Sequence, residues 1–214
     1  MGLAVRNIPR SLALLTQWLG IHSLPTLLFN FLHEQHAQDL ENFPNTGKVF
    51  LYPSAVATYY APSDKSGIGG MFRERIRCVN SWRGGPPRRD CVFITHDEDL
   101  PGFQGLYVGQ VLAWMKIKHE NICYCAALIT PFETVGDQPC PLTNMWKVHR
   151  LRDNTGRCIL KIIHLDAIFR STHLIGVPGT SSIPYEVNHT NALDAYRTFY
   201  VNKFIDYHAH EIAF

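Results

Sequence analysis

The chain has 214 residues, 46% of them apolar and 18% charged, the composition of an ordinary globular protein long enough for one well-buried core and an extension. Its formal charge of +2 predicts no partner by itself and excludes any argument from a uniformly basic surface. The positive charge is local: Arg73, Arg75, Arg77, Arg83, Arg88 and Arg89 stand against Glu74 and Asp90, so the remainder of the chain is slightly acidic.

In chain order, Arg6 and Arg10 precede an apolar run from Ser11 to Ile21 in the manner of a secretory signal. Gln17 interrupts that run, no small-residue cleavage site follows it, and Leu24, Leu27, Leu28, Phe31 and Leu32 continue at helical spacing. Residues 1–38 therefore read as a helical extension of two amphipathic helices, with Ser11 and Ser23 as N-caps, Gly20 ending the first and Pro25 opening the second. Gln17, His22, Pro25 and Asn30 break every window long enough to cross a bilayer, so no membrane partner is expected. Arg6 occupies the place where a myristoylation motif needs Ser or Thr.

Residues 39–48 are polar, with Asn42, Pro44, Asn45 and Gly47, and read as a linker before a domain spanning 49–214. Val49 to Tyr60 suits strands broken at Pro53. The loop from Ala61 to Gly70 is rich in glycine but lacks the lysine of a phosphate-binding loop. If Met71 to Cys78 is extended, Arg73, Arg75 and Arg77 share one face and Phe72, Glu74, Ile76 and Cys78 the other. Arg83 beside Trp82, and Arg88 and Arg89 after the Gly84-Gly85-Pro86-Pro87 turn, extend this basic segment. Such a row fits phosphates or an acidic partner; a solvated edge strand blunted by charge is the plainer alternative.

Asp90 to Val177 carries the main signal. Short apolar runs, Cys91–Ile94, Leu106–Met115, Ile122–Ile129, Met145–Val148 and Cys158–Ile163, alternate with turns such as 118–121 and 153–156. Both faces of Leu106–Met115 are apolar, which places it at the centre of a sheet covered on two sides. The expected fold class is mainly β (α+β): a small β-barrel or curved antiparallel sheet with N-terminal helices and a C-terminal helix. That last helix is read from Asn191 onward, with Leu193, Tyr196, Tyr200, Phe204 and Tyr207 as its buried stripe.

No catalytic residue is expected. There is no G-x-S-x-G and no H-E-x-x-H, and His208 and His210 point to different faces of any helix. Of the six cysteines only Cys123 and Cys125 are close in sequence, a spacing that does not suit zinc. Four of the six, Cys91, Cys123, Cys125 and Cys158, lie inside apolar strand runs, where a free thiol behaves as a small hydrophobe, and a reducing compartment is expected. No metal, cofactor or small-molecule substrate is expected.

Several blocks, Tyr60-Ala61-Pro62-Ser63-Asp64, Gly69 to Arg77, Trp82-Arg83, Ile163 to Ile168, His173 to Val177 and Leu193 to Lys203, resemble the C-terminal region of fungal Plavaka-type transposon proteins of the Kyakuja-Dileera-Zisupton superfamily. The resemblance covers roughly residues 49–214. It implies an origin in a mobile element and, as a partner, an upstream transposase domain that holds the nuclease chemistry; no catalytic residue transfers. A second similarity is architectural. Asp90–Ile94, Val108–Trp114 and Ala126–Phe132 are ordered like the strands of bromo-adjacent homology (BAH) domains, although Ile129-Thr130-Pro131-Phe132 departs from that family's ending. It implies a BAH- or SH3-like barrel and a chromatin partner, with Trp82, Trp114, Phe132 and Trp146 as aromatic contact candidates. The combined expectation is a nuclear or cytoplasmic, non-catalytic module that binds DNA or a chromatin protein through its six arginines. The alternative is a structural domain whose N-terminal helices dock on a missing upstream portion and expose Leu24, Leu28, Phe31 and Leu32 when alone.

Overall fold

The structure, a computed structural model, describes residues 11–36, 48–64, 68–119, 122–180, 182–183 and 185–214. Two helices open the described chain, α1 (Leu12–Leu19) and α2 (Leu24–His36). The strands β1 (Lys48–Tyr52), β2 (Ser54–Tyr60), β3 (Met71–Val79), β4 (Arg88–Arg89), β5 (Cys91–Thr95), β6 (Leu106–His119), β7 (Ile122–Thr134), β8 (Lys147–Arg150), β9 (Lys161–His164), β10 (Ile168–Thr172) and β11 (Leu174–Gly176) follow. The chain closes with α3 (Ala192–Ala195), β12 (Thr198–Val201) and α4 (Tyr207–Ile212). Most of the proposed linker and the segment before Ser11 lie outside the described residues.

Every strand pairing is antiparallel. The long hairpin of β6 and β7 is the spine. The first half of β6 pairs with β5 and its second half with β1; the first half of β7 pairs with β9 and its second half with β8. The sheet runs β10-β5-β6-β7-β8-β12-β11 and curls into a nearly closed barrel, as the evenly spaced apolar runs predict. A register slip between Val111 and Ala113 makes Leu112 a bulge. The one-residue shift carries Val108 and Gln110 onto the same face as Ala113, Met115 and Ile117, and bends the strand.

Three cores result. Leu12, Leu15, Leu24, Leu28, Phe31 and Leu32 cover one end of that face with Val49, Met115, Ile117, Ala126 and Leu128. Phe93, Phe103, Phe132, Trp146, Val148, Phe199 and Val201 fill the other end. On the reverse face Val92, Ile94, Val111, Trp114, Ala127 and Ile129 meet Ala55 and Ile76 from a second sheet, β2-β3-β4. The first helix ends as its signal predicts, with Gly20 at a left-handed φ of 67°; Ser11 is extended at its start but its side chain makes no capping hydrogen bond. The four residues expected to dock elsewhere face inward instead. Leu24, Leu28 and Leu32 are 0% exposed and Phe31 2% exposed, all spent on this chain's own sheet.

The C-terminal helix is shorter and later than expected. The helix that opens after Asn191 covers no more than Ala192–Ala195, and Thr198-Phe199-Tyr200-Val201 is a strand between β8 and β11. Aromatic and β-branched residues favour the pleated surface, and Phe199 and Val201 alternate inward with period two. The supposed stripe is thereby broken: Phe204 and Tyr207 are exposed, and the true terminal helix, α4, is capped by Asp206. His208 is buried in α4 and His210 exposed, the opposite faces that their spacing requires.

Candidate nucleic-acid interface

The basic segment becomes β3 and the hairpin that joins it to β4. Register with β2 pairs Thr58 with Arg73, Val56 with Arg75 and Ser54 with Arg77, so these six side chains share one face of the small sheet. Val79 pairs with Arg88, which puts Arg88 on that face as well. Arg89 pairs with Cys78 instead and turns to the other side, against the expectation of six arginines acting together. Its guanidinium sits beside the Cys78 thiol, which burial nonetheless pushes up to about 12.

Trp82 organises the rest. The hairpin closes through Trp82 N donating to Pro86 O at 3.1 Å and Gly85 N donating to Trp82 O at 2.9 Å, with Gly84 at a φ of 77° that a side chain would resist. This holds the indole where three guanidinium carbons lie over it: Arg77 at 4.5 Å from the ring centroid, Arg83 and Arg88 each at 5.4 Å. Stacking leaves the in-plane N–H groups able to donate, and here Arg77 Nη1 donates to Arg75 O at 3.2 Å and Arg88 Nε to Asp90; each stacked contact contributes about 0.5–1 kcal/mol at an exposed site. Asp90 fixes the base of the hairpin. One carboxylate oxygen accepts from Arg88 Nε at 2.8 Å and the other from Arg77 N at 2.7 Å. It is the single carboxylate in ion-pair contact with this face among the described residues. Arg75 donates to Ser54 Oγ at 3.3 Å, and Arg73 is exposed, as is Arg83 over the indole. Five arginines thus converge with one acid.

The remaining aromatic candidates do not join them. Trp114 is 0% exposed under the small sheet, and Phe132 and Trp146 belong to the core at the far end of the barrel, where Trp146 Nε1 donates to Phe214 O at 3.2 Å. All three fill space between layers and cannot line an exposed cage; only Trp82 reaches the surface. The cysteines are all free thiols, and Cys91 is core, but Cys123 is exposed where the apolar run had suggested burial.

The back of the same sheet holds a buried polar cluster. Arg170, 4% exposed, donates to both carboxylate oxygens of Asp206, at 2.9 and 2.5 Å, and to His208 Nδ1 at 3.1 Å. Tyr59 lies between, stacked on His208 at 4.8 Å and beneath the Arg170 guanidinium at 4.9 Å. Glu74 accepts from Ser171 N and, at 2.6 Å, from Ser171 Oγ. The cluster pins β2 and β3 to β10 and α4, and so fixes the arginine face from behind. One signal for it stood in the sequence: Glu74 alternates with Phe72 and Ile76 on the inward face, and a carboxylate there must find a partner.

These groups make stability acid-sensitive. Burial, and then the Arg170 charge, hold His208 below its ordinary range; against the cost of its own burial, the Arg170 and Ala209 hydrogen bonds hold Asp206 low. Glu74, Asp206 and Glu211 also face His208 and act the other way on it without prevailing. In both cases the unfolded chain binds the proton more readily, so stability is complete above the unfolded pKa and falls as pH drops, first below about 6.5 and then through the carboxylate range. Urea midpoints should therefore decline between pH 7 and 5, and His208→Gln should flatten that decline. An equally steep profile in the variant would remove His208 from the account.

Comparison with protein-family models, curated proteins and solved structures gives no match. The arrangement of side chains must carry the functional reading. Among the described residues no helix is long and apolar enough to cross a membrane, and no group of three or more metal-ligating side chains occurs.

Proposed function

We propose that this chain is a non-catalytic DNA-binding module of a transposon-derived protein, working in the nucleus on phosphate backbones through Arg73, Arg75, Arg77, Arg83 and Arg88. One observation carries the reading: five guanidinium groups share the outer face of one small sheet and its hairpin, with Asp90 in ion-pair contact with Arg88. Such a face attracts polyanions by releasing their counterions, and guanidinium groups that contact phosphates position a nucleic acid without specifying its sequence. The likeness to Plavaka-type proteins supports the origin and an upstream transposase domain as neighbour; the likeness to BAH domains supports a chromatin setting.

Anisotropy titration of the full chain against a labelled duplex, at several salt concentrations, tests the proposal. Binding should weaken steeply with salt. Changing Arg73, Arg75 and Arg77 together to Ala should lower affinity by roughly tenfold or more and reduce the logarithmic salt slope by about 3, near one for each lost phosphate contact. Absent or salt-insensitive binding would remove DNA as the partner. A variant that binds like the parent would remove this face.

A further inference from the structure

Resting on that reading, we infer that the strand face is built for single-stranded nucleic acid, with Tyr60 stacking an unpaired base while the arginines hold its phosphates. Tyr60 pairs directly with Met71, so it lies on the arginine face, diagonally next to Arg73. It is 63% exposed although its chain neighbour Tyr59 is buried, and Met71 beside it is 45% exposed. An aromatic ring and a thioether left open at one end of a row of guanidinium groups form an apolar platform that the charges do not use.

The ring is held in place. A Cβ at Gly70 would lie 2.6 Å from Tyr60 Cε2, so the ring rests on bare backbone there, and Ala61 N donating to Gly70 O at 2.7 Å locks the two strands together. Gly70 also has a φ of 77°, which a side chain would strain. Trp82 cannot serve the same purpose, because guanidinium groups already lie over its ring. The two aromatics divide the work: half-buried Trp82 orients arginines, and exposed Tyr60 offers an open surface.

An intact duplex presents phosphates to such a face but keeps each base covered by its neighbours; only an unpaired base has a free surface to stack. From Arg73 to Arg77 the row spans about 13 Å at strand spacing, a flat track along which an extended strand can lie. Aromatic stacking on a sheet, with cations along the backbone, is the physics by which proteins hold single strands without reading sequence.

The test uses the full chain, a short labelled oligothymidine, a duplex of equal length and an abasic strand with the same number of phosphates. The parent should prefer oligothymidine to both others. Tyr60→Ala should weaken oligothymidine binding by about ten- to a hundredfold and leave the abasic strand and the duplex unchanged, while Tyr60→Phe should retain the parent's affinity. Equal binding of oligothymidine by the parent and Tyr60→Ala, or a preference for duplex, overturns the inference. If the triple arginine variant still loses all three ligands, the phosphate-binding reading survives that failure; if it loses none, both fall.

Discussion

Asp206→Ala should lower the unfolding free energy by about 3–5 kcal/mol, measured by urea denaturation at neutral pH. The reason is Arg170. Its side chain is only 5% exposed and both of its donor nitrogens facing Asp206 are committed there, at 2.9 and 2.5 Å. Removing the acid leaves a guanidinium desolvated and uncompensated, the situation in which a broken buried pair costs most. Asp206 also accepts from Ala209 N at 2.7 Å as the cap of α4, a contact worth about 1 kcal/mol. Two further variants separate these effects. Asp206→Asn keeps an acceptor for the cap and loses the charge, so it should recover only the smaller share. Arg170→Met with Asp206→Asn removes both charges and should recover most of the loss. A double variant no more stable than Asp206→Ala would show that the guanidinium was not the source of the cost.

Leu28→Ala should cost about 3 kcal/mol and lower Tm by roughly 6–12 °C, with no change in oligomeric state from the parent by light scattering. Leu28 is 0% exposed in the core that α1 and α2 share with β1, β6, β7 and β9. A change below about 1 kcal/mol would mean that the helices are not seated on the sheet in solution, and would restore the idea that they dock elsewhere. The measurement therefore bears on function as well as stability, because exposed helices are what the structural-domain alternative requires.

The arginine face depends on both levels. Strand spacing alone placed Arg73, Arg75 and Arg77 together, and the Gly84-Gly85-Pro86-Pro87 turn was legible from glycine and proline. That Arg88 joins the row while Arg89 leaves it follows only from register, since a shift of one residue exchanges the two faces. The stacking of three guanidinium groups on Trp82 is likewise a product of the folded hairpin.

The helices over residues 12–36, the strands on either side of Pro53 and the central place of Leu106–Met115 were legible without the fold, because period and turn residues are local properties of the chain. Tertiary structure decided the rest. Thr198–Val201 became a strand because β8 and β11 offered edges to pair with, and Arg170, Asp206, His208, Tyr59 and Glu74 met because four separate segments converge behind the small sheet. Such pairings join residues far apart in sequence, and no local pattern encodes which distant partner will satisfy a buried charge.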